Sequence, residues 1–222
     1  MEVNLVRVVM IVVISYLLGS IPTAYLVALL IKRINVFEVG SGNMGGTNVA
    51  RAVGLRWGIF TAFLDAVKGI IAVQIARMIW PDPDTYLAIA IVAGVAAVIG
   101  HNWSVFATAL YYHYNHQFSI RGGKGAATAY GTMIQLLPPW PLIAIIVVGV
   151  VLALITRYAS LAVLVSFAVG LVWALVLAGN VGYSALYVPY ILIITILIVW
   201  RFRENIQRLV TGTERKLGER VT

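Results

Sequence analysis

The sequence of 222 residues contains no cysteine and few charged residues. The absence of cysteine excludes disulfide bridges, thiolate catalysis and cysteine-based metal sites. Charged residues make up 11% of the chain, whereas soluble domains carry about 25%. Hydrophobic residues make up 61%, and several apolar runs approach the ~20 residues that cross a bilayer. The composition therefore predicts a polytopic membrane protein.

Negative charge is also scarce: the chain has eight acidic and 16 basic residues, and its formal net charge is +8. A basic chain can bind nucleic acid, but here the positive charge lies mainly at the ends of apolar runs. Lysine and arginine at such places orient a membrane protein and contact anionic lipid. We therefore expect membrane lipid as a partner and no nucleic acid. The first run, Leu5–Ile31, is too long for a cleaved signal peptide.

Seven apolar stretches predict an all-α integral membrane bundle with a single domain, residues 1–222. The predicted spans are Leu5–Ile31, Trp57–Trp80, Thr85–Thr108, Gly125–Leu137, Pro141–Ile155, Leu161–Ala178 and Tyr183–Trp200. Of the 16 basic residues, seven lie in the connections on one side and six in the C-terminal tail. None lies in the connections on the other side, at 81–84, 138–141 and 179–183. The positive-inside rule then predicts the N-terminus outside and the C-terminus inside.

Three segments rich in glycine or arginine interrupt the apolar pattern, and this orientation places all three at the cytoplasmic face. The first is "GSGNMGGTNVAR" (Gly40–Arg51). Its backbone amides, hydroxyls and side-chain amides can surround a phosphate, and Arg51 can add a bidentate contact. The alternative is a flexible loop, because glycine, serine and asparagine also favour turns.

The second segment, "RGGKGAAT" (Arg121–Thr128), resembles a nucleotide-binding P-loop only superficially. That motif needs a glycine six residues before the lysine and a Ser or Thr directly after it, whereas Phe118 and Gly125 occupy these positions. ATP is therefore not expected. Lys124 lies in a glycine cluster at the start of a predicted helix, which favours an anion. A lysine that reaches towards the membrane interface is the alternative.

The third segment, "RFRENIQRLVTGTE" (Arg201–Glu214), places Asn205 among arginines just after the last run. The Asn205 amide can both donate and accept hydrogen bonds, so it can bind a substrate. A charged flank that ends membrane insertion is the alternative.

Isolated polar residues lie within or beside the apolar runs. Asp65 and Lys68, at i, i+3 spacing, predict a structural ion pair rather than catalysis. His101 is either a hydrogen-bonded packing residue or a substrate contact. Ser160 is either the N-cap of the next helix or a phosphate ligand. The two histidines of "YYHYNHQFS" (Tyr111–Ser119) are predicted to be solvated rather than metal-bound.

Six motifs, spread over nearly the whole chain, resemble the bacterial acyl-phosphate:glycerol-3-phosphate acyltransferases. They are "GSIPTAY", "SGNMGGTNVAR" (Ser41–Arg51), "LDAVKG" (Leu64–Gly69), "GHNWSVF", "GGKGAAT" (Gly122–Thr128) and "RENIQRLVTGTE" (Arg203–Glu214). The resemblance implies a seven-helix enzyme of the bacterial cytoplasmic membrane, with its active site at the cytoplasmic face. It implies transfer of a fatty acyl group from acyl phosphate to the 1-hydroxyl of glycerol 3-phosphate, without a cofactor or metal.

The resemblance also implies which residues act. The catalytic candidates are Ser41, Arg51, Lys124 and Asn205. The substrate- and phosphate-binding candidates are Gly42, Asn43, Thr47, Asn48, Gly122, Gly123, Ser160, Arg203 and Glu204. The implied partners are acyl phosphate, glycerol 3-phosphate and lipid, and a monomer is expected.

The sequence departs from the family at two motif positions. Phe202 stands where a histidine usually precedes "REN", and Ser104 stands where a proline is usual. A role for that histidine cannot be carried over. No "HxxxxD" pair occurs either, which disfavours a His/Asp-based acyltransferase. A small anion or organophosphate transporter is the second hypothesis, although its ligands would be expected near the bilayer midplane. A non-catalytic scaffold is the third.

Overall fold

The computed structural model describes residues 4–178 and 183–219. All regular secondary structure in these two stretches is helical, which confirms the predicted all-α class. A 3₁₀ turn covers Val36–Glu38. The helices are α1 (Leu5–Ser20), α2 (Thr23–Lys32), α3 (Gly46–Ala52), α4 (Leu55–Ile79), α5 (Tyr86–Asn102), α6 (Val105–Asn115), α7 (Ala126–Leu136), α8 (Pro139–Thr156), α9 (Ala159–Ala178), α10 (Tyr187–Arg201) and α11 (Arg203–Val210).

The chain forms two compact units, one that ends at Gln135 and one that runs from Leu136 to Glu219. The first unit contains α1 to α6 and nearly all of α7, and the second contains α8 to α11. The first two glycine-rich segments belong to the first unit. The third segment belongs to the second unit.

Small residues let the helices of the first unit approach closely. α1 packs against α5, and α4 packs against both. A Cβ atom at Gly19 would lie 2.0 Å from the Ala97 carbonyl oxygen, and one at Gly100 would lie 2.1 Å from the Tyr16 carbonyl oxygen. Contact through small residues is a usual basis of helix association in membranes, where lipid is as apolar as the side chains. The C-terminal end of α5 is thereby fixed on α1.

Pro22 separates α1 from α2, so the first predicted span consists of two helices. Proline has no N–H and leaves carbonyl groups of the preceding turn without helical partners. The Ser20 carbonyl oxygen accepts a hydrogen bond from Ser104 Oγ at 2.5 Å, and the Ile21 carbonyl oxygen accepts one from Lys68 Nζ at 3.1 Å. A break in a membrane helix needs such partners, because lipid offers none.

The second unit is built around α9, which contacts both α8 and α10. Its core includes the fully buried side chains of Ile145, Phe167 and Ile191. A Cβ atom at Gly170 would lie 3.1 Å from Ile145 Cδ1, so this glycine lets α8 pack closely on α9. The short polar helix α11 contacts α9 and α10 and carries Asn205 as its buried residue.

The apolar helices support the prediction of a membrane protein. In the described part of the chain, five helical stretches are long and apolar enough to cross a membrane: Leu5–Lys32, Leu55–Ile79, Tyr86–Asn115, Pro139–Thr156 and Ala159–Ala178. α10 is apolar but has 15 residues, and α7 has 11. The count of seven spans stays a prediction. Most of the outer connection predicted at 179–183 lies outside the described residues.

Candidate active site

The first glycine-rich segment is a loop held in shape by the buried side chain of Asn48. Asn48 Nδ2 donates to the carbonyl oxygens of Val36 at 3.3 Å and Val39 at 3.1 Å. Its Oδ1 accepts from the Ser41 backbone N–H at 3.0 Å. Gly42 has a φ of +64°, a conformation that favours glycine. Asn48 therefore supports the loop, while Ser41 lies at its exposed surface.

The short helix α3 follows this loop and carries Thr47 and Arg51. A Cβ atom at Gly46 would lie 2.5 Å from the Gly58 carbonyl oxygen, so two glycines bring α3 directly against α4. Thr47 is exposed, and Arg51 is half-buried in the last turn. The packing of α3 gives Arg51 a defined backbone position relative to the loop.

The second glycine-rich segment packs on the first and on the end of α5. The Gly123 N–H donates to the His101 carbonyl oxygen at 2.9 Å, and the Met44 N–H donates to the Gly122 carbonyl oxygen at 3.4 Å. A Cβ atom at Gly123 would lie 2.0 Å from His101 Nε2, and one at Gly122 would lie 2.3 Å from the Asn102 carbonyl oxygen. A side chain at either position would clash. The fold thus brings the first two predicted segments together.

Lys124 and Asn43 flank this contact. Lys124 is half-buried and lies two residues before Ala126, where α7 begins. Gly125, with a φ of +75°, joins the lysine to the helix. The Asn43 N–H donates to Ser41 Oγ at 3.4 Å. A lysine beside the first amides of a helix is an arrangement that attracts phosphate.

A buried polar network lies beside the second segment. Lys68 Nζ lies 2.9 Å from Asp65 Oδ1, which confirms the predicted ion pair. The Thr23 hydroxyl donates to the same carboxylate oxygen, and His101 Nδ1 lies 3.5 Å from it. All four side chains are buried. His101 therefore lies in the interior against the glycine loop, and its role as a substrate contact stays a prediction.

In the second unit, Ser160 and Asn205 share one carboxylate. Ser160 Oγ donates to Glu214 Oε1 at 2.8 Å, and Asn205 Nδ2 donates to the same oxygen at 2.6 Å. Arg208 Nε donates to Glu214 Oε2 at 2.7 Å. Ser160 lies within the first turn of α9, which begins at Ala159, rather than ahead of the helix.

This cluster shifts the ionisation of Glu214, whose side chain is 6% exposed. Burial raises the pKa of the Glu214 carboxyl, but the hydrogen bonds from its three donors, led by Arg208, lower it by more. The pKa therefore lies below the ordinary value of 4.5. The carboxylate is charged at neutral pH, and the cluster is a set of donors arranged around an anion.

The remaining candidates of the third segment lie at the surface. Arg203 and Glu204 are exposed, and the Arg203 guanidinium lies 5.5 Å from the centre of the Trp200 ring. Arg203 Nη1 also donates to the Trp200 carbonyl oxygen at 3.2 Å. Phe202, which replaces the usual histidine, is 6% exposed and lies between α10 and α11.

Sequence reasoning did not identify Glu214 or Arg208 as site residues, although both lie in the "RENIQRLVTGTE" motif. The motif contains the signal, but the sequence does not show which side chains bind one another. Among residues 4–178 and 183–219, no group of three His, Asp or Glu side chains could hold a metal ion. His113 and His116 are both exposed.

Known proteins resemble this chain in sequence and fold over nearly its whole length. Residues 9–212 match the family model for glycerol-3-phosphate acyltransferase. A glycerol-3-phosphate acyltransferase of Halalkalibacterium halodurans is 39% identical over 93% of this chain and 93% of its own length. The crystal structure of PlsY (YgiH), an integral membrane glycerol 3-phosphate acyltransferase, in its glycerol 3-phosphate form has a TM-score of 0.79. It is 34% identical and covers 95% of this chain and 96% of that chain.

The lysophosphatidic acid form of PlsY has a TM-score of 0.76 and is 33% identical, with 95% of each chain covered. These comparisons confirm the resemblance carried by the six sequence motifs. The chain belongs to the glycerol-3-phosphate acyltransferase family.

Proposed function

We propose that this chain transfers a fatty acyl group from acyl phosphate to the 1-hydroxyl of glycerol 3-phosphate. The products are lysophosphatidic acid and phosphate, so the reaction is the first acylation of phospholipid synthesis. The observation that carries the proposal is the packing of the Gly40–Arg51 and Arg121–Thr128 segments on each other, in a chain of this family. The glycerol 3-phosphate and lysophosphatidic acid forms of PlsY support the same substrate and product.

The chemistry asks mainly for positioning and positive charge. Acyl phosphate is a mixed anhydride with a good leaving group, so an enzyme has to bring two anions together and offset their repulsion. We assign this charge to Arg51 and Lys124, with Ser41 and Asn205 as further catalytic ligands. The proposed supporting ligands are Gly42, Asn43, Thr47, Asn48, Gly122, Gly123, Ser160, Arg203 and Glu204.

A substrate phosphate is the proposed base. The 1-oxygen of glycerol 3-phosphate attacks the acyl carbon, the bond from that carbon to the phosphate oxygen breaks, and the hydroxyl proton passes to a substrate phosphate oxygen. Two features favour this route: Phe202 stands where the family usually has a histidine, and no "HxxxxD" pair occurs in the sequence. A steep pH dependence of kcat that one side-chain substitution removes would contradict it.

The enzyme is proposed to lie in the bacterial cytoplasmic membrane as one domain with seven spans. The N-terminus is outside and the C-terminus inside, so that all three segments face the cytoplasm. This topology follows from the distribution of basic residues. The reaction needs no metal or cofactor, and a monomer is sufficient for it. A C-terminal reporter found outside the cell would contradict this orientation.

The decisive experiment supplies the purified protein with acyl phosphate and radiolabelled glycerol 3-phosphate. We expect lysophosphatidic acid and orthophosphate in equal amounts, and no product when acyl-CoA or acyl carrier protein is the only donor. Absence of lysophosphatidic acid would refute the proposed acyltransferase activity. Uptake of glycerol 3-phosphate into proteoliposomes without acylation would identify a transporter, and neither activity would identify a scaffold.

A further inference from the structure

The buried polar network of the first unit extends from the break between α1 and α2 to an imidazole. Lys68 Nζ donates to the Ile21 carbonyl oxygen at 3.1 Å and lies 2.9 Å from Asp65 Oδ1. The same carboxylate oxygen accepts the Thr23 hydroxyl and lies 3.5 Å from His101 Nδ1. One carboxylate therefore connects the helix break, α4 and the end of α5.

The opposite edge of this imidazole faces the second glycine-rich segment. A Cβ atom at Gly123 would lie 2.0 Å from His101 Nε2, which means that the ring lies directly against the loop backbone. The His101 carbonyl oxygen accepts the Gly123 N–H at 2.9 Å. Both the side chain and the backbone of His101 therefore contact Gly123. The next residue is Lys124. The preceding carbonyl, of Gly122, accepts the Met44 N–H and so connects this contact to the first segment.

Packing alone does not account for a charged network at this place. The desolvation of two buried charges offsets most of their attraction, so a buried ion pair adds little stability. Asp65 and Lys68 are 1% and 5% exposed and lie within an apolar helix that is long enough to span a membrane. Charged residues in such helices are concentrated at functional positions. A carboxylate, unlike an apolar side chain, can fix the orientation of an imidazole.

We propose that Asp65 and His101 are positioning residues for the loop Gly122–Lys124. Asp65 fixes the orientation of the ring, and the edge of the ring sets the position of the loop backbone and so of the Lys124 ammonium. Neither side chain contacts substrate. Lys68, whose Nζ lies 2.9 Å from Asp65 Oδ1, holds the Asp65 carboxylate in place. The inference rests on the proposed function, in which Lys124 binds a substrate phosphate.

The test compares variants that remove the ring, replace it or release it. His101→Ala removes the edge that supports Gly123, and His101→Gln replaces it with a planar amide. Asp65→Leu combined with Lys68→Met removes the acceptor that holds the ring and leaves no unpaired buried charge. The matched control is Gln74→Met, because Gln74 also lies on α4 and donates to Gln135, away from the loop.

Two measurements are made on each purified variant: steady-state kinetics and hydrogen–deuterium exchange. We expect His101→Ala to raise the KM for one of the two phosphate-bearing substrates about tenfold, with kcat changed by less than about threefold. The Gly123 amide should exchange faster in this variant. His101→Gln should recover most of both values, the double variant should resemble His101→Ala, and Gln74→Met should resemble wild type.

Two outcomes would overturn the proposal. Wild-type KM and exchange in His101→Ala would overturn it. Equal losses in all variants and the control would also overturn it, because they would show a general structural role. If His101→Ala does not fold, the double variant decides on the same criteria: a raised KM with faster Gly123 exchange supports the proposal, and wild-type values overturn it. If wild type makes no lysophosphatidic acid, the proposed function fails, and the exchange of the Gly123 amide still decides whether the ring positions the loop.

Discussion

The two units hold their candidate anion ligands in different ways. In the first, Lys124 belongs to a glycine loop whose backbone rests on buried side chains, among them His101. In the second, Ser160 and Asn205 donate to an internal carboxylate, that of Glu214. The first arrangement depends on the absence of side chains at a few backbone positions. The second depends on charge-assisted hydrogen bonds.

This difference shows that a glycine-rich motif and a polar motif in one family can have separate physical requirements. A loop of the first kind is broken by added volume, because a Cβ atom has no space there. A cluster of the second kind is broken by removal of charge, because its donors are then left without a strong acceptor. Added volume and removed charge therefore test the two arrangements separately.

The largest effect on activity is expected from removal of the two candidate catalytic cations of the first unit, Arg51 and Lys124. Arg51→Ala and Lys124→Ala should each lower kcat/KM about 100-fold or more, because each removes positive charge that offsets the charge of the substrate phosphates. The measurement is the initial rate of lysophosphatidic acid formation. The control is Lys32→Ala, an exposed lysine on α2 whose Nζ donates to the Ala52 carbonyl oxygen. It should leave the rate within about twofold of wild type. Wild-type turnover in both active-site variants would refute the assignment.

A smaller effect is expected from added volume in the glycine loop. Gly123→Ala places a Cβ atom against His101 Nε2 and 2.4 Å from the Met44 carbonyl oxygen. The backbone must move, so we expect a loss of about 1–3 kcal/mol in the free energy of unfolding, together with a raised KM. The control is Gly45→Ala, because no atom lies within 4 Å of a Cβ there and the φ is −150°. Equal behaviour of the two variants would contradict the steric argument.

Much of the fold follows from the apolar runs alone. The predicted spans for α4, α8 and α9 agree with the observed helices to within two residues at each end. The break at Pro22 could not be predicted as a stable feature. Its freed carbonyl groups bind Ser104 and Lys68, which are 84 and 47 residues away in sequence from their respective acceptors. Only the packed helices show that such partners exist.

The candidate site, like the fold, could be predicted from the sequence only in part. Glycine and lysine in one short segment suggest an anion-binding loop without further information, because backbone amides are present wherever the chain turns. The carboxylate of Glu214 could not be assigned from sequence, since one donor, Ser160, is 54 residues away. A motif can therefore reveal a residue without revealing its partner.

The smallest effect, and the sharpest contrast with the glycine loop, is expected from Glu214→Gln. Because hydrogen bonds depress the pKa of Glu214 in the folded state, its contribution to stability is present at neutral pH. That contribution is lost as the pH falls below about 4.5. At pH 7 we expect Glu214→Gln to lower the free energy of unfolding by about 0.5–1.5 kcal/mol, measured by thermal unfolding in detergent, and the difference from wild type to shrink under acid. Glu38→Gln is the control, because Glu38 accepts from Asn35 at an exposed position and should cost less than about 0.5 kcal/mol. A difference for Glu214→Gln that does not change with pH would contradict the electrostatic account of the cluster.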